Sequence, residues 1–312
     1  AERARTVLIT GISGGTGKVL FRQLRERPGA LRFVGLARTP LQDVRRGEVD
    51  MHVVDLTQNR AEDVFRRHEI DTVVHLAFEH DPRKPSAERY KSNVLGTMRL
   101  LDWCVRHDVR KVVVVTSAAV YGAHQDNPAR ITEDMPTRAD QHAAGLRDMV
   151  EADRYVTAWM WKNPQIETAL LRPVHVLGPT VRNSFKFYLT RPVVPVLAGF
   201  DPMMQIVHEE DVARAVVLAM ERRCAGIYNI VGPGALPLSE ILQQLDAEVL
   251  PLPPFVVRQM VRGLWRLKMV PLSPHLVDFL RFPLVVSGDK ARADLGYRPE
   301  IGLRDAIESV RW

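Results

Sequence analysis

Only two cysteines, Cys104 and Cys224, occur in 312 residues. Two thiols cannot make a disulfide framework, and both lie in apolar helical contexts, so they read as buried thiols of a reducing compartment. No stretch approaches the roughly 18 continuous apolar residues of a membrane-spanning helix. The opening residues, AERARTVLITG, enter a strand pattern almost at once. That leaves no room for a signal peptide and sets the expectation of a cytoplasmic protein. Charge of one sign is not concentrated either. The formal net charge is +6, but basic and acidic residues interleave along most of the length, so the balance describes a solvated basic surface and nucleic acid is not expected as a partner. One exception is PFVVRQMVRGLWRLK at 254–268, where Arg258, Arg262 and Arg266 recur every four residues opposite Val257, Val261, Leu264 and Trp265. It reads as an amphipathic surface helix of a lobe, and membrane contact is not expected.

What is present is a repeating alternation. Apolar runs TVLIT (6–10), FVGLA (33–37), HVVDL (52–56), TVVHLA (72–77), KVVVVTS (111–117) and ETALLRPVHVLG (167–178) are separated by helical patterns. These include one from Val19 to Arg25, one ending near His68 and one over 89–107. Continuous Val/Ile/Leu strands between helices predict a doubly wound parallel α/β sheet, whose ligands bind at the C-terminal strand ends. After 178 the rhythm breaks into short helices and Pro-rich joints (PLPP, PLSP), which predicts a smaller C-terminal lobe. The expected boundaries are a dinucleotide-binding domain at 1–172, to which the chain returns at about 205–232 and 285–312. The substrate lobe is formed by 173–204 and 233–284.

The first strand runs into T-G-I-S-G-G-T-G, residues 10–17, which opens a helix. In this pattern Gly11 makes the tight turn, Gly14 lets the backbone approach a pyrophosphate, and Gly17 lets the helix pack on the strand. Thr10, Ser13, Gly15 and Thr16 complete the loop, and the helix N-terminus supplies donors for phosphates.

The T-G-x-x-G-x-x-G spacing resembles that of the extended short-chain dehydrogenase/reductases, the NAD(P)-dependent epimerase/dehydratase-like proteins, and among them the UDP-glucose-4-epimerase-like subgroup. Asp55-Leu56 resembles the pair beside the adenine, His75-Leu76-Ala77 the fourth-strand signature, and Asn93-Val94 with Gly96-Thr97 the following helix. Thr116, Ser117 and Val120-Tyr121-Gly122 resemble the T/S-S-x-x-V-Y-G strand end, and Leu171-Arg172-Pro173 to Gly178-Pro179 the L-R-P…G-P turn. His208 to Asp211 and DLGYRP (294–299) continue the match to the end.

The resemblance implies a Rossmann fold and a nicotinamide cofactor held by Thr10, Gly11, Ser13, Gly14, Gly15, Thr16, Gly17, Asp55, Leu56, Leu76, Ala77, Asn93, Thr116 and Pro173. At the end of the second strand the chain reads G-L-A-R-T. Ala37 stands where NAD-users place an acid, and Arg38 can grip a 2′-phosphate. NADP(H) is therefore expected over NAD(H).

The family's Tyr-x-x-x-Lys pair is missing. Within DQHAAGLRDMVE (140–151), Ala143 and Arg147 occupy its positions. Arg147 could still hold the ribose, and Ser117 could bind the reacting oxygen. His142, Tyr121 and His175 are the candidate proton carriers, since an imidazole near neutrality suits that task. Phe78, Arg182, Asn183 and Met204 are candidate substrate contacts, Met204 standing where an anion-binding Arg is expected. No His/Cys/Asp cluster has metal-ligand spacing along the chain. The expectations are an NADP(H)-dependent carbonyl/alcohol oxidoreductase acting on a small molecule, a nucleotide-sugar epimerase or dehydratase, or a cofactor-binding sensor without turnover. A homodimer through the helices near 89–107 and 143–162 is a further expectation.

Overall fold

The computed structural model describes residues 5–27, 31–42, 44–45, 47–141, 144–270, 274 and 276–311. In the first half the strands are β1 (Arg5–Thr10), β2 (Leu31–Ala37), β3 (Asp50–Val53), β4 (Thr72–His75), β5 (Lys111–Val115) and β6 (Glu167–Pro173). The helices between them are α1 (Gly15–Arg25), α2 (Glu62–Arg67), α3 (Ser86–Tyr90), α4 (Gly96–Arg106) and α5 (Arg147–Lys162), with a π-helical turn at Lys91–Leu95 fusing α3 to α4. Then come β7 (His175–Leu177), α6 (Ser184–Leu189), β8 (Val193–Leu197), β9 (Met203–His208), α7 (Glu209–Glu221) and β10 (Gly226–Ile230). The chain ends with β11 (Ala235–Pro237), α8 (Leu238–Gln244), β12 (Glu248–Leu252), α9 (Pro254–Arg266), α10 (Leu276–Phe279), α11 (Asp289–Leu295) and α12 (Leu303–Glu308).

Seven parallel strands form the main sheet in the order β10-β6-β5-β4-β1-β2-β3. Residues of β1, β4 and β5 are buried on both faces, as all-parallel sheets covered by helices require. One apolar cluster, including Val19, Leu20, Val212 and Val216, fills the α1/α7 face. A second, including Leu100, Trp103, Val156 and Trp159, fills the α4/α5 face. The doubly wound reading of the sequence is the observed architecture. Cys104 lies in α4, as expected, whereas Cys224 falls just beyond α7; both are buried.

Two elements differ from the expected pattern. The run HVVDL is strand only to Val53, because Val54, Asp55 and Leu56 turn off the edge to wall a cleft. The run ETALLRPVHVLG breaks at Val174. Its first part stays in the sheet beside β5 and β10, and β7 leaves to pair with β9. That break, after Pro173, carries the chain from the large sheet into the small lobe. The lobe has its own cluster of Leu177, Phe185, Met204, Ile206, Leu238 and Val257. Ala306, Ile307 and Val310 at the chain end join this cluster, although the sequence assigned them to the larger domain.

Candidate dinucleotide cleft and adjoining reaction site

At the C-terminal ends of β1, β2 and β4 lies a cleft of about 290 Å³, lined by Gly11, Ser13, Gly14, Ala37, Arg38, Asp55, Leu56, Leu76, Ala77, Phe78 and others. Its floor follows from backbone geometry. Gly11 has φ +71, and a Cβ there would stand 2.9 Å from the Ala77 backbone. A Cβ at Gly17 would be 2.5 Å from the Gly11 carbonyl. So the loop can turn, and α1 can dock on β1, only without side chains at these positions. Gly14 N–H donates to the Gly11 carbonyl at 2.9 Å and caps α1 without a side chain. The first amides of α1 are thereby left at the cleft, where a phosphate would be held. Gly15 backs against the carbonyl of Thr180, whose hydroxyl and N–H are both held by Glu209 at the start of α7. These features fit a dinucleotide.

On the adenosine side, the Arg38 guanidinium pairs with Glu79 at 2.7 Å, and Lys84 meets the same carboxylate at 2.6 Å. Glu79 belongs to the same strand end as Leu76 and Ala77 and lines the cleft, but sequence reasoning passed over it. Its place two residues past Ala77, at a C-terminal strand end, was the available signal. Asp55 accepts from the Thr57 N–H at 2.8 Å. Partial burial resists its ionisation, but the Thr57 bonds and the charges of Arg38 and Lys91 outweigh it and hold the carboxyl below its ordinary value.

Several expected contacts are engaged elsewhere. Thr10 and Thr97 hold the two ring nitrogens of His75, at 2.7 and 2.9 Å. Burial pushes that imidazole down to about 3, so the Thr10 hydroxyl ties β1 to β4 and is not aimed at a ligand. Asn93 accepts from Glu79 N–H at 2.7 Å and donates to the Glu79 carbonyl and to Asp148. It positions the Glu79 loop. Thr116 donates to Asp153 at 2.8 Å, and Pro173 is buried at the end of β6.

The reaction side departs further from expectation. Tyr121 is 1% exposed. It donates to Asn229 at 2.9 Å and accepts from Arg172 at 2.8 Å, while Arg172 forms a two-pronged pair with Asp153. Burial pushes the phenol above its ordinary value. A proton donor at neutral pH needs the opposite shift and access to substrate, so the expectation for Tyr121 is corrected to a core role.

His175, on β7, stacks on Phe185 with centroids 4.2 Å apart and meets Phe279 edge-on. Burial pushes it down to about 4, so at neutral pH it is an uncharged imidazole, not the near-neutral donor expected. Ser117 is half-buried at the end of β5, its Oγ accepting from the Ala119 N–H at 3.1 Å, and its hydroxyl proton keeps a donor role. Arg147 opens α5 and is exposed; among the described residues no side-chain partner holds it. His142 and Ala143 lie outside the described residues.

In the lobe, Asn183 caps α6, accepting from Lys186 N–H and donating to the Val176 carbonyl at 2.7 Å. Met204 is 3% exposed within the lobe cluster, while Met203 faces out. The expectation that both line a substrate pocket is corrected: one is a helix cap, the other core. Arg182 is exposed near Lys186.

Residues 7–231 match the NAD dependent epimerase/dehydratase family model. An uncharacterized protein of Mycobacterium tuberculosis is 29% identical over 95% of this chain and 80% of its own length. Among solved structures, MoeE5 in complex with UDP-glucuronic acid and NAD is 23% identical, with TM-score 0.77 over 98% of both chains. Thermus thermophilus UDP-glucose 4-epimerase in complex with NAD is 22% identical, with TM-score 0.75 over 98% of both chains.

Proposed function

Because the chain belongs to the NAD dependent epimerase/dehydratase family, we propose that it binds NADP(H) in the cleft at the ends of β1, β2 and β4. Its proposed role is to exchange hydride with a carbonyl or alcohol of a moderately apolar small molecule. The observation that carries the proposal is the pairing of Ala37 with Arg38 at the end of β2. The end of β2 itself offers no acid to accept from a ribose, and its Arg38 guanidinium reaches the cleft mouth, where it pairs with the Glu79 carboxylate that a 2′-phosphate would replace. The names of the two solved structures mention NAD, and Ala37-Arg38 is the argument for the phosphorylated form here. Gly11, Gly14 and the α1 amides would hold the pyrophosphate, with Asp55, Leu56 and Phe78 around the adenosine end. Once bound, the nicotinamide supplies a hydride donor or acceptor.

The chain's own part in the chemistry is to place the substrate oxygen and handle one proton. In this reading Ser117 donates a hydrogen bond to that oxygen. With Tyr121 committed to Asn229 and Arg172, the proton passes through solvent. His175, lowered to about 4 among Phe185 and Phe279, is too weak a base to take it at neutral pH. Arg147 supplies positive charge at the start of α5.

A nucleotide-sugar epimerase or dehydratase is the second reading, favoured by the family match itself. Against it, Asn183 and Met204 are engaged in the lobe's own structure. Micromolar UDP binding by calorimetry would move the proposal to that reading.

The cofactor proposal is tested by fluorescence titration of NADPH and NADH with wild type and Arg38→Ala. A charge-assisted bond is worth roughly 1.5–3 kcal/mol, so Arg38→Ala should weaken NADPH about ten- to a hundredfold and leave NADH nearly unchanged. Equal wild-type affinities, or no loss in the variant, would sink the NADP(H) assignment.

A further inference from the structure

We propose that Asp50, His52 and His68 form a binding site for a borderline divalent transition-metal ion of the zinc class, on the edge strand of the main sheet and outside the residues that line the dinucleotide cleft. Asp50 and His52 are two apart on β3, so the pleat places both side chains on one face. His68 follows α2 and has extended backbone, φ −124 and ψ 133, which turns its ring back toward that face.

One ligand atom from each residue lies within 4.8 Å of the others. The two Nε2 atoms are 3.0 Å apart. The Asp50 carboxylate oxygens stand 3.6 Å from His52 Nε2 and 3.5 Å from His68 Nε2. A tetrahedral zinc with donors near 2.0–2.1 Å needs neighbouring donors about 3.3 Å apart. The imidazole pair is a little closer than that value, and each Asp50 oxygen is a little farther from its own imidazole, Oδ1 from His52 and Oδ2 from His68, so an ion would enter as the two rings spread and the carboxylate turns one oxygen toward both.

The donor set selects the metal. Two imidazoles and one carboxylate suit Zn²⁺, Ni²⁺, Cu²⁺ or Co²⁺, and calcium and magnesium demand more oxygen than is present. Both rings are largely enclosed, at 18% and 11% side-chain exposure, whereas Asp50 is 59% exposed. The site is therefore open to solvent on the Asp50 side, leaving a fourth position for water. Arg67 beside His52 opposes a cation, and the Asp50 carboxylate offsets that charge.

Bound metal would staple β3, the unpaired edge of the sheet, to the end of α2, as edge strands require some form of protection. The same chain segment continues into Asp55 and Leu56 of the cleft. The alternative account of the 3.0 Å contact is a simple hydrogen bond, one imidazole donating to the other.

The test uses tag-free, metal-stripped full-length protein. Zn²⁺ is titrated against a chromophoric chelator, and Co²⁺ is added separately as a spectroscopic probe. The expected result is one equivalent of tightly held Zn²⁺, a tetrahedral Co²⁺ absorption band, and a rise in melting temperature with Zn²⁺. His52→Ala and His68→Ala should each lower affinity at least about a hundredfold. Asp50→Asn, at an exposed position, should weaken binding without affecting the fold. Absence of binding at micromolar Zn²⁺, or equal affinity in wild type and both histidine variants, would overturn the site and leave the hydrogen bond as the whole explanation. Dinucleotide titrations are independent of either result.

Discussion

Under the cofactor proposal, Gly14 is the residue whose substitution should cost binding with the least effect on structure. Its Cβ would approach the Gly11 carbonyl to 3.2 Å, a contact the loop can absorb, but the remainder of a larger side chain would extend into the cleft it lines. Gly14→Val should therefore lose dinucleotide binding while its far-UV circular dichroism and melting curve stay close to wild type. Undiminished binding would show the loop to be a turn and nothing more. Gly11 and Gly17 would make poorer probes, since substituents there collide with backbone and the variants test folding instead. The turn at Gly11 and the close packing at Gly17 were legible from spacing alone, because spacing after a strand reports backbone geometry. The roles of Thr10, Asn93, Asn183 and Met204 were not. Each is a residue type suited to ligand contact, and only the surrounding partners show that its polar or apolar surface is already used.

At the scale of elements, the joint of β5, β6, β10 and α5 is held by one buried polar network. Arg172 and Asp153 are nearly or fully buried, at 3% and 0% side-chain exposure, and around them gather Thr116, Tyr121 and Asn229. Removing one partner of such a pair leaves an uncompensated charge in the core, at a cost of about 3–5 kcal/mol. Asp153→Ala should show a loss of that size in denaturant unfolding, and a loss below about 1 kcal/mol would mean the pair is not the clasp described. The break at Val174 belongs to the same joint. A continuous apolar run with one proline reads as one strand, because periodicity cannot register that its second half pairs with β9 instead of β10. The end of β3 was likewise overextended by three residues, Val54, Asp55 and Leu56, since residues lining a ligand cleft at a strand end look the same in sequence as residues in a sheet.

For the whole molecule, burial sets the response to acid. His52, His75, His175 and His208 are all lowered from the ordinary 6.5, His75 to about 3 and His175 to about 4. A lowered imidazole binds its proton less readily folded than unfolded, so its contribution is complete above 6.5 and is lost progressively as pH falls toward the folded values. Unfolding free energy by urea should be smaller at pH 5 than at pH 7.5. Equal or greater stability at pH 5 would contradict the burial of these rings. The sequence by itself determined the parallel doubly wound sheet, the phosphate-type turn after β1 and the absence of the Tyr-x-x-x-Lys pair. Each of those is written in local order, as apolar period, glycine spacing or residue identity. Only the tertiary structure decided that Tyr121 is core, that Glu79 holds Arg38, and that His68 comes back to Asp50 and His52. Contacts between distant segments depend on how strands and helices pack, and no local pattern along the chain encodes which side chains that packing brings face to face.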